Sequence, residues 1–168
     1  MNASDLLMDA FGRIHGLVHH AVDGVSPDDL VFRVDADANT IAWLVWHLTR
    51  IQDDHVAEVA GREQRWTADG WVKRFGLPFA DDATGYGHGT ADVAAVVAPV
   101  ELLTAYYDDV HEHTMRYLAI LTGDDLDTVV DSSWDPPVTL GVRLISVLSD
   151  DLQHAGQAAF LRGLALRR

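Results

Sequence analysis

With 168 residues, 48% of them hydrophobic and 23% charged, the chain has the length and apolar content of one domain with a sizeable core. It contains no cysteine, which excludes disulfides, thiolate metal ligands and a cysteine nucleophile, so any transition-metal site must be built from His, Asp and Glu. The formal net charge of −14, carried mostly by aspartate, repels phosphate backbones and argues against nucleic acid or an anionic membrane as a partner.

Four long segments carry helical periodicity. The first runs from Ser4, a suitable N-cap, to Asp23, with Leu7, Phe11, Ile14, Val18 and Val22 on one stripe; Gly24 and Ser26-Pro27 end it. The second begins after Asn39-Thr40, continues through "IAWLVWHLTRIQDDHVAEVA", and stops at Gly61, a plausible C′ glycine. From Arg62 to Thr90 the periodicity dissolves into a connection rich in Gly, Asp and aromatics. Trp66, Trp71, Phe75, Phe79 and Tyr86 argue that it is ordered and packs over one end of the helices. A short turn from Thr90 precedes Pro99, which suits the N1 position of a third long helix ending at Gly123. The fourth follows "DSSWDPPVT", is capped by Thr139 and reaches about Arg162, with apolar residues around most of its circumference.

Strand signals are weak throughout and no internal repeat is present. The expected fold is therefore all-α: a single domain over residues 1–168, forming a four-helix bundle with a long crossover. No basic-then-apolar leader opens the sequence and no apolar run approaches the ~20 residues of a membrane span, so the expected location is cytoplasmic.

The fourth helix contains "SDDLQHAGQ", where charged groups interrupt an apolar pattern. At about 100° per residue, Asp150 and His154 lie one turn apart and roughly 40° from each other, so their side chains can converge on one point. Asp151 and Gln153 turn away from that point. Gln157 lies near His154, as a support for it or a contact to a cofactor or substrate. In the second helix His47 follows Trp43 and Trp46 and borders the arc of Leu44, Leu48 and Ile51, but His55 lies nearer the centre of that arc, so periodicity does not choose between them. Asp54 shares a stripe with His47. His15 and His19 have the i, i+4 spacing of metal ligands yet sit at the margin of their helix's apolar stripe, and are read as surface residues. His111 and His113 point to different faces and form no joint site. His88, in the Gly-rich loop, is read as a solvated residue, with lining of a pocket entrance as the alternative.

The segments "NTIAWLVWHLTRIQDDHVAEVAG" and, about a hundred residues later, "LISVLSDDLQHAGQAAFLRG" resemble the DinB-like superfamily, which includes bacillithiol- and mycothiol-dependent enzymes such as mycothiol-dependent maleylpyruvate isomerase. The specific part of the resemblance is the His-Leu of the second helix and the His-x-Gly-Gln of the fourth. It implies a four-helix bundle in which one histidine of the second helix and two residues four apart on the last hold a divalent metal: here His47, Asp150 and His154. The commonest form of the motif has histidine in place of Asp150 and the mycothiol-linked branch has glutamate, so this chain keeps the carboxylate in a shorter form. Three N/O ligands suit zinc or nickel and leave positions open for water or a substrate.

The first functional expectation is accordingly a metal-dependent S-transferase or isomerase that uses a small thiol, mycothiol, against a small electrophilic substrate. Asp54 or His55 would be the base, Gln157 a cofactor contact, and the aromatic connection from Trp66 to Tyr86 the lid. Metal-assisted hydrolysis is a second reading, and a non-catalytic bundle binding a metal or small ligand is a third. A homodimer is expected, because the fourth helix is apolar on more than one face.

Overall fold

The computed structural model describes residues 1–168. Asn2 starts helix α1 (Ala3–Val22): its side chain accepts the Asp5 N–H while the Asp5 carboxylate accepts the Asn2 N–H, a reciprocal cap. Ser4, expected as the cap, instead lies inside the helix, buried, with its hydroxyl donating to the carbonyl of Leu118. A short helix α2 (Pro27–Leu30) precedes α3 (Ile41–Val59), whose first turn is closed by the Thr40 hydroxyl accepting the Trp43 N–H at 3.0 Å. Every residue from Ile41 to Arg50 is buried, so α3 is walled in on all sides over its first half. Gly61, at φ +62°, takes the left-handed conformation just past its end, as the sequence predicts.

The crossover carries three short helices, α4 (Arg65–Ala68), α5 (Trp71–Phe75) and α6 (Thr90–Ala95). Helix α7 (Val100–Leu118) begins one residue later than expected, with Pro99 in the cap position, and ends well before Gly123. A new 3-10 turn follows at Asp124–Asp127, tied back by the Asp125 carboxylate, which accepts both the N–H and the hydroxyl of Thr122. Within this all-α fold, Val129–Asp131 (β1) and Val138–Thr139 (β2), where strand signals are weak, form a small antiparallel ribbon that delivers the chain into α8 (Leu140–Ala165).

Around the bundle, α1 and α3 each pack against both α7 and α8 and lie diagonally opposite one another. Contacts along the helices give their directions. Arg162 of α8 reaches the carbonyl of Asp23 at the end of α1, so these two run parallel. Ser4 meets Leu118 whereas His19 meets Asp108, so α1 and α7 are antiparallel. Tyr106 meets Asp53 and Tyr117 meets Val59, making α3 and α7 parallel neighbours. A parallel pair cannot be joined by a tight turn, and this is why residues 60–99 form a long crossover.

Helix α8 buries Leu144, Val147, Ala155, Ala158 and Leu161, but Val142, Ile145, Leu152 and Phe160 are exposed, so it is less enclosed than its apolar composition suggests. No helix is long and apolar enough to cross a membrane.

Candidate metal centre

His47 on α3 and Asp150 and His154 on α8 face each other across the antiparallel α3–α8 contact, and one ligand atom from each lies within 4.8 Å of the others. The two imidazoles meet edge to face with centroids 4.9 Å apart, and His154 Nε2 is 3.5 Å from Asp150 Oδ1. Two atoms each ~2.1 Å from one ion at a tetrahedral angle stand about 3.4 Å apart, so this spacing suits a shared cation. The remaining carboxylate oxygen, Asp150 Oδ2, is buried and has no hydrogen-bond partner.

Each histidine is tied down through its other nitrogen. His47 Nδ1 donates to the carbonyl of Thr84 at 2.6 Å, and His154 Nδ1 donates to Gln157 Oε1 at 2.9 Å. Both bonds occupy Nδ1 and leave Nε2 as the atom available to a cation, the supporting arrangement metal-bound histidines have. Trp43 stacks on the His47 ring at 4.5 Å and presents an edge to His154. Burial lowers the pKa of His47 despite the Thr84 bond, so this imidazole is a neutral donor at pH 7. The neighbouring Asp150 carboxylate raises that of His154 against burial. Burial works to raise the Asp150 carboxyl, but the adjoining His154, with His47 and His55, outweighs it and holds it below its ordinary value. Two imidazoles and a carboxylate are a fitting donor set for a divalent ion, and the Asp150 carboxylate lies within 4.8 Å of a ligand atom of each ring.

The Thr84 carbonyl is placed by the crossover. Arg50, fully buried, donates through Nε to the carbonyl of Ala83 at 3.0 Å and through a terminal nitrogen to Gln64 Oε1 at 2.8 Å. Asp53 accepts the N–H groups of Arg65 and Trp66, both at 2.8 Å, capping α4 from outside its own segment, and takes the Tyr106 hydroxyl at 2.8 Å. Gly85 then passes so close to α3 that an added Cβ would lie 2.6 Å from His47 Nδ1. The expected packing of this connection over the helices is thus present: Trp66, Trp71 and Phe75 are buried around Tyr106, and Phe79 packs on Trp46. Tyr86 departs from it and is almost fully exposed. His88, expected in solvent, instead stacks on Trp46 and accepts the Trp43 indole N–H at 3.2 Å.

A model of the mycothiol-S-transferase family matches residues 6–165. The chain belongs to this family. A crystal structure of a conserved protein from Enterococcus faecalis is similar to it throughout, with a TM-score of 0.93 and 27% identity over 100% of this chain and 99% of that one. No curated protein matches the chain.

In this member of the mycothiol-S-transferase family, the other residues singled out from the sequence fall in three places. Gln157 is exposed and positions His154. Asp54 and His55 make no hydrogen bond or ion pair to the three converging residues; they line a neighbouring polar cleft with Gln64, Asp131 and Arg143. There Asp54 accepts from Gln64, and His55 Nδ1 faces an Arg143 N–H at 3.1 Å. His15 and His19, read as surface residues, are half-buried and both contact Asp108 of α7, a partner no periodicity within α1 can reveal. Arg50 and Asp53 went unremarked in the sequence because an i, i+3 charge pair ordinarily lies in solvent.

Asp151, which turns away from the centre as its spacing predicts, is driven into the core: it is fully buried and neither carboxylate oxygen has a partner. Burial pushes its pKa well up. Asp151→Asn keeps the shape without the ionisable group and is expected to stabilise the fold by about 1–3 kcal/mol at pH 7. Urea unfolding of the two proteins checks this, and an unchanged or lower midpoint would contradict it.

Proposed function

We propose that this chain is a metal-dependent S-transferase in which His47, Asp150 and His154 hold a divalent ion, zinc or nickel, and a small thiol, mycothiol, is used against a small electrophile. The observation that carries this reading is that one ligand atom each of His47, Asp150 and His154 lie within 4.8 Å of one another, with each imidazole held at Nδ1 by Thr84 or Gln157. A divalent ion bound there would supply a Lewis-acid centre that keeps a coordinated thiol ionised at neutral pH, the form in which sulfur is nucleophilic.

The chain's own residues do the rest. Trp43, Trp46 and His88 close the α3 side of the centre and exclude water from the His47 ring. Asp54 and His55, held by Gln64 and Arg143 in the polar cleft, touch none of the three converging residues, so the thiol proton is proposed to reach them through water. That cleft is lined entirely by polar and charged side chains and suits a hydroxyl-rich cofactor better than an apolar one. Family membership supports the choice of mycothiol.

The test is cobalt substitution. The visible spectrum of the cobalt protein is expected to change on addition of mycothiol, and the change is expected to vanish in His154→Ala. A spectrum indifferent to mycothiol would overturn the thiol reading: turnover of a simple ester would then favour hydrolysis, and no turnover a non-catalytic binding module.

A further inference from the structure

On the opposite side of the bundle a second set of groups converges on one oxygen. His15 and His19, one turn apart on α1, both bring Nε2 to Asp108 Oδ1 on α7, at 2.9 and 2.7 Å. Their three ligand atoms lie within 4.8 Å of one another. The two rings are 4.6 Å apart, and the ring of His111, on α7 one turn beyond Asp108, is also 4.6 Å from that of His15. His111 Nδ1 is buried and has no hydrogen-bond partner. Tyr107 stacks on both His15 and His111, and its hydroxyl is likewise buried and unpartnered.

The bundle's hydrophobic packing does not require this arrangement. At 2.9 and 2.7 Å the two Nε2–H groups donate to the one carboxylate oxygen; a divalent cation would replace both protons at once, with the three atoms parting to about 3.4 Å around it. Two imidazoles and a carboxylate are a donor set for borderline metals such as zinc or nickel. The side chains of His15, His19 and Asp108 are 37%, 39% and 47% exposed, so a cation can enter from solvent and keep water in its open positions. The net charge of −14 enriches cations near the surface.

We propose that His15, His19 and Asp108 form a second divalent-metal site, separate from His47, Asp150 and His154, that staples α1 to α7. His111 supplies the nearest additional imidazole. The site ties the N-terminal helix across the bundle at a level where its other link to α7, the Ser4 hydroxyl on Leu118, does not reach.

Zinc titration of chelator-stripped protein tests this. Wild type is expected to bind two equivalents, His154→Ala one, His19→Asn one, and the double variant none. Removing one of three ligands should weaken the affected equivalent at least tenfold. Zinc is also expected to raise the thermal midpoint of His154→Ala but not of the double variant, because binding to the native state alone stabilises it. Asp108→Asn repeats the measurement should His19→Asn lose its helical circular dichroism. The proposal is overturned if His154→Ala binds no zinc, or if it binds an equivalent that survives both α1 and α7 substitutions. Loss of metal in His19→Asn alone, with His154→Ala unaffected, would instead refute the centre at His47 while leaving this one standing.

Discussion

Gly85→Ala is expected to weaken zinc binding at His47, Asp150 and His154 by about 10- to 100-fold, the range typical when a group that orients a metal-bound histidine is lost. The substitution replaces no proposed ligand. Gly85 has φ +95°, and its Cβ would fall 2.6 Å from His47 Nδ1 and 3.1 and 3.2 Å from the rings of Trp46 and Trp43, all buried groups with little room to yield. The loop must retreat, and the carbonyl of Thr84 leaves Nδ1 with it. Gly87→Ala separates this effect from simple backbone strain: Gly87 also has positive φ, +78°, but nothing lies within 4 Å of its added Cβ. Competition against a chromophoric chelator should show wild-type affinity for Gly87→Ala and the loss for Gly85→Ala. Equal affinities would mean that the Thr84 carbonyl does not set the His47 ring.

Arg50→Ala is expected to cost about 3–5 kcal/mol of stability, the usual penalty for breaking a buried pair and leaving its partner charge behind. Asp53 would keep its N–H partners on Arg65 and Trp66 but lose the guanidinium 3.7 Å away, and the carbonyl of Ala83 would lose its donor. Burial already pushes the Asp53 carboxyl up against these hydrogen bonds, so it is poorly placed to stand alone. For a domain of this size the loss corresponds to a fall in thermal midpoint of roughly 10 °C. Adding Asp53→Asn should recover part of it, because the uncompensated charge is then gone; a double variant as unstable as the sum of the two singles would argue against direct coupling. Thermal melts of the four proteins decide it.

Both predictions rest on groups that a sequence discloses unevenly. The long helices were legible because their apolar stripes repeat at 3.6 residues, and Thr40 and Thr139 announced two of the starts. The ends were harder: Asn2 could cap only with Asp5 answering it, and α7 stopped well before its glycine, with a 3-10 turn following. The ribbon of three and two residues is too short to leave an alternating pattern. Within the centre, Asp150 and His154 could be paired from helical spacing alone. His47 could not be preferred to His55, because a helix buried on every side from Ile41 to Arg50 has no polar face against which to orient a histidine. Resemblance to a family supplied that choice. Contacts between segments distant in sequence, Asp108 with His15 and His19 or Asp53 with Arg65 and Trp66, have no local signature.

The crossover's hydrogen bond to His47 comes from main chain, the Thr84 carbonyl, with Gly85 passing beneath and Tyr86 turned outward. A carbonyl is indifferent to the identity of the residue that bears it. The segment around Tyr86 can therefore diverge freely in side-chain chemistry, within the single requirement for glycine at position 85, without disturbing the geometry of the imidazole below. A library randomised at Thr84 and Tyr86 is expected to leave the packing of the His47 ring unchanged, which makes this segment the place to vary side-chain chemistry beside the three converging residues.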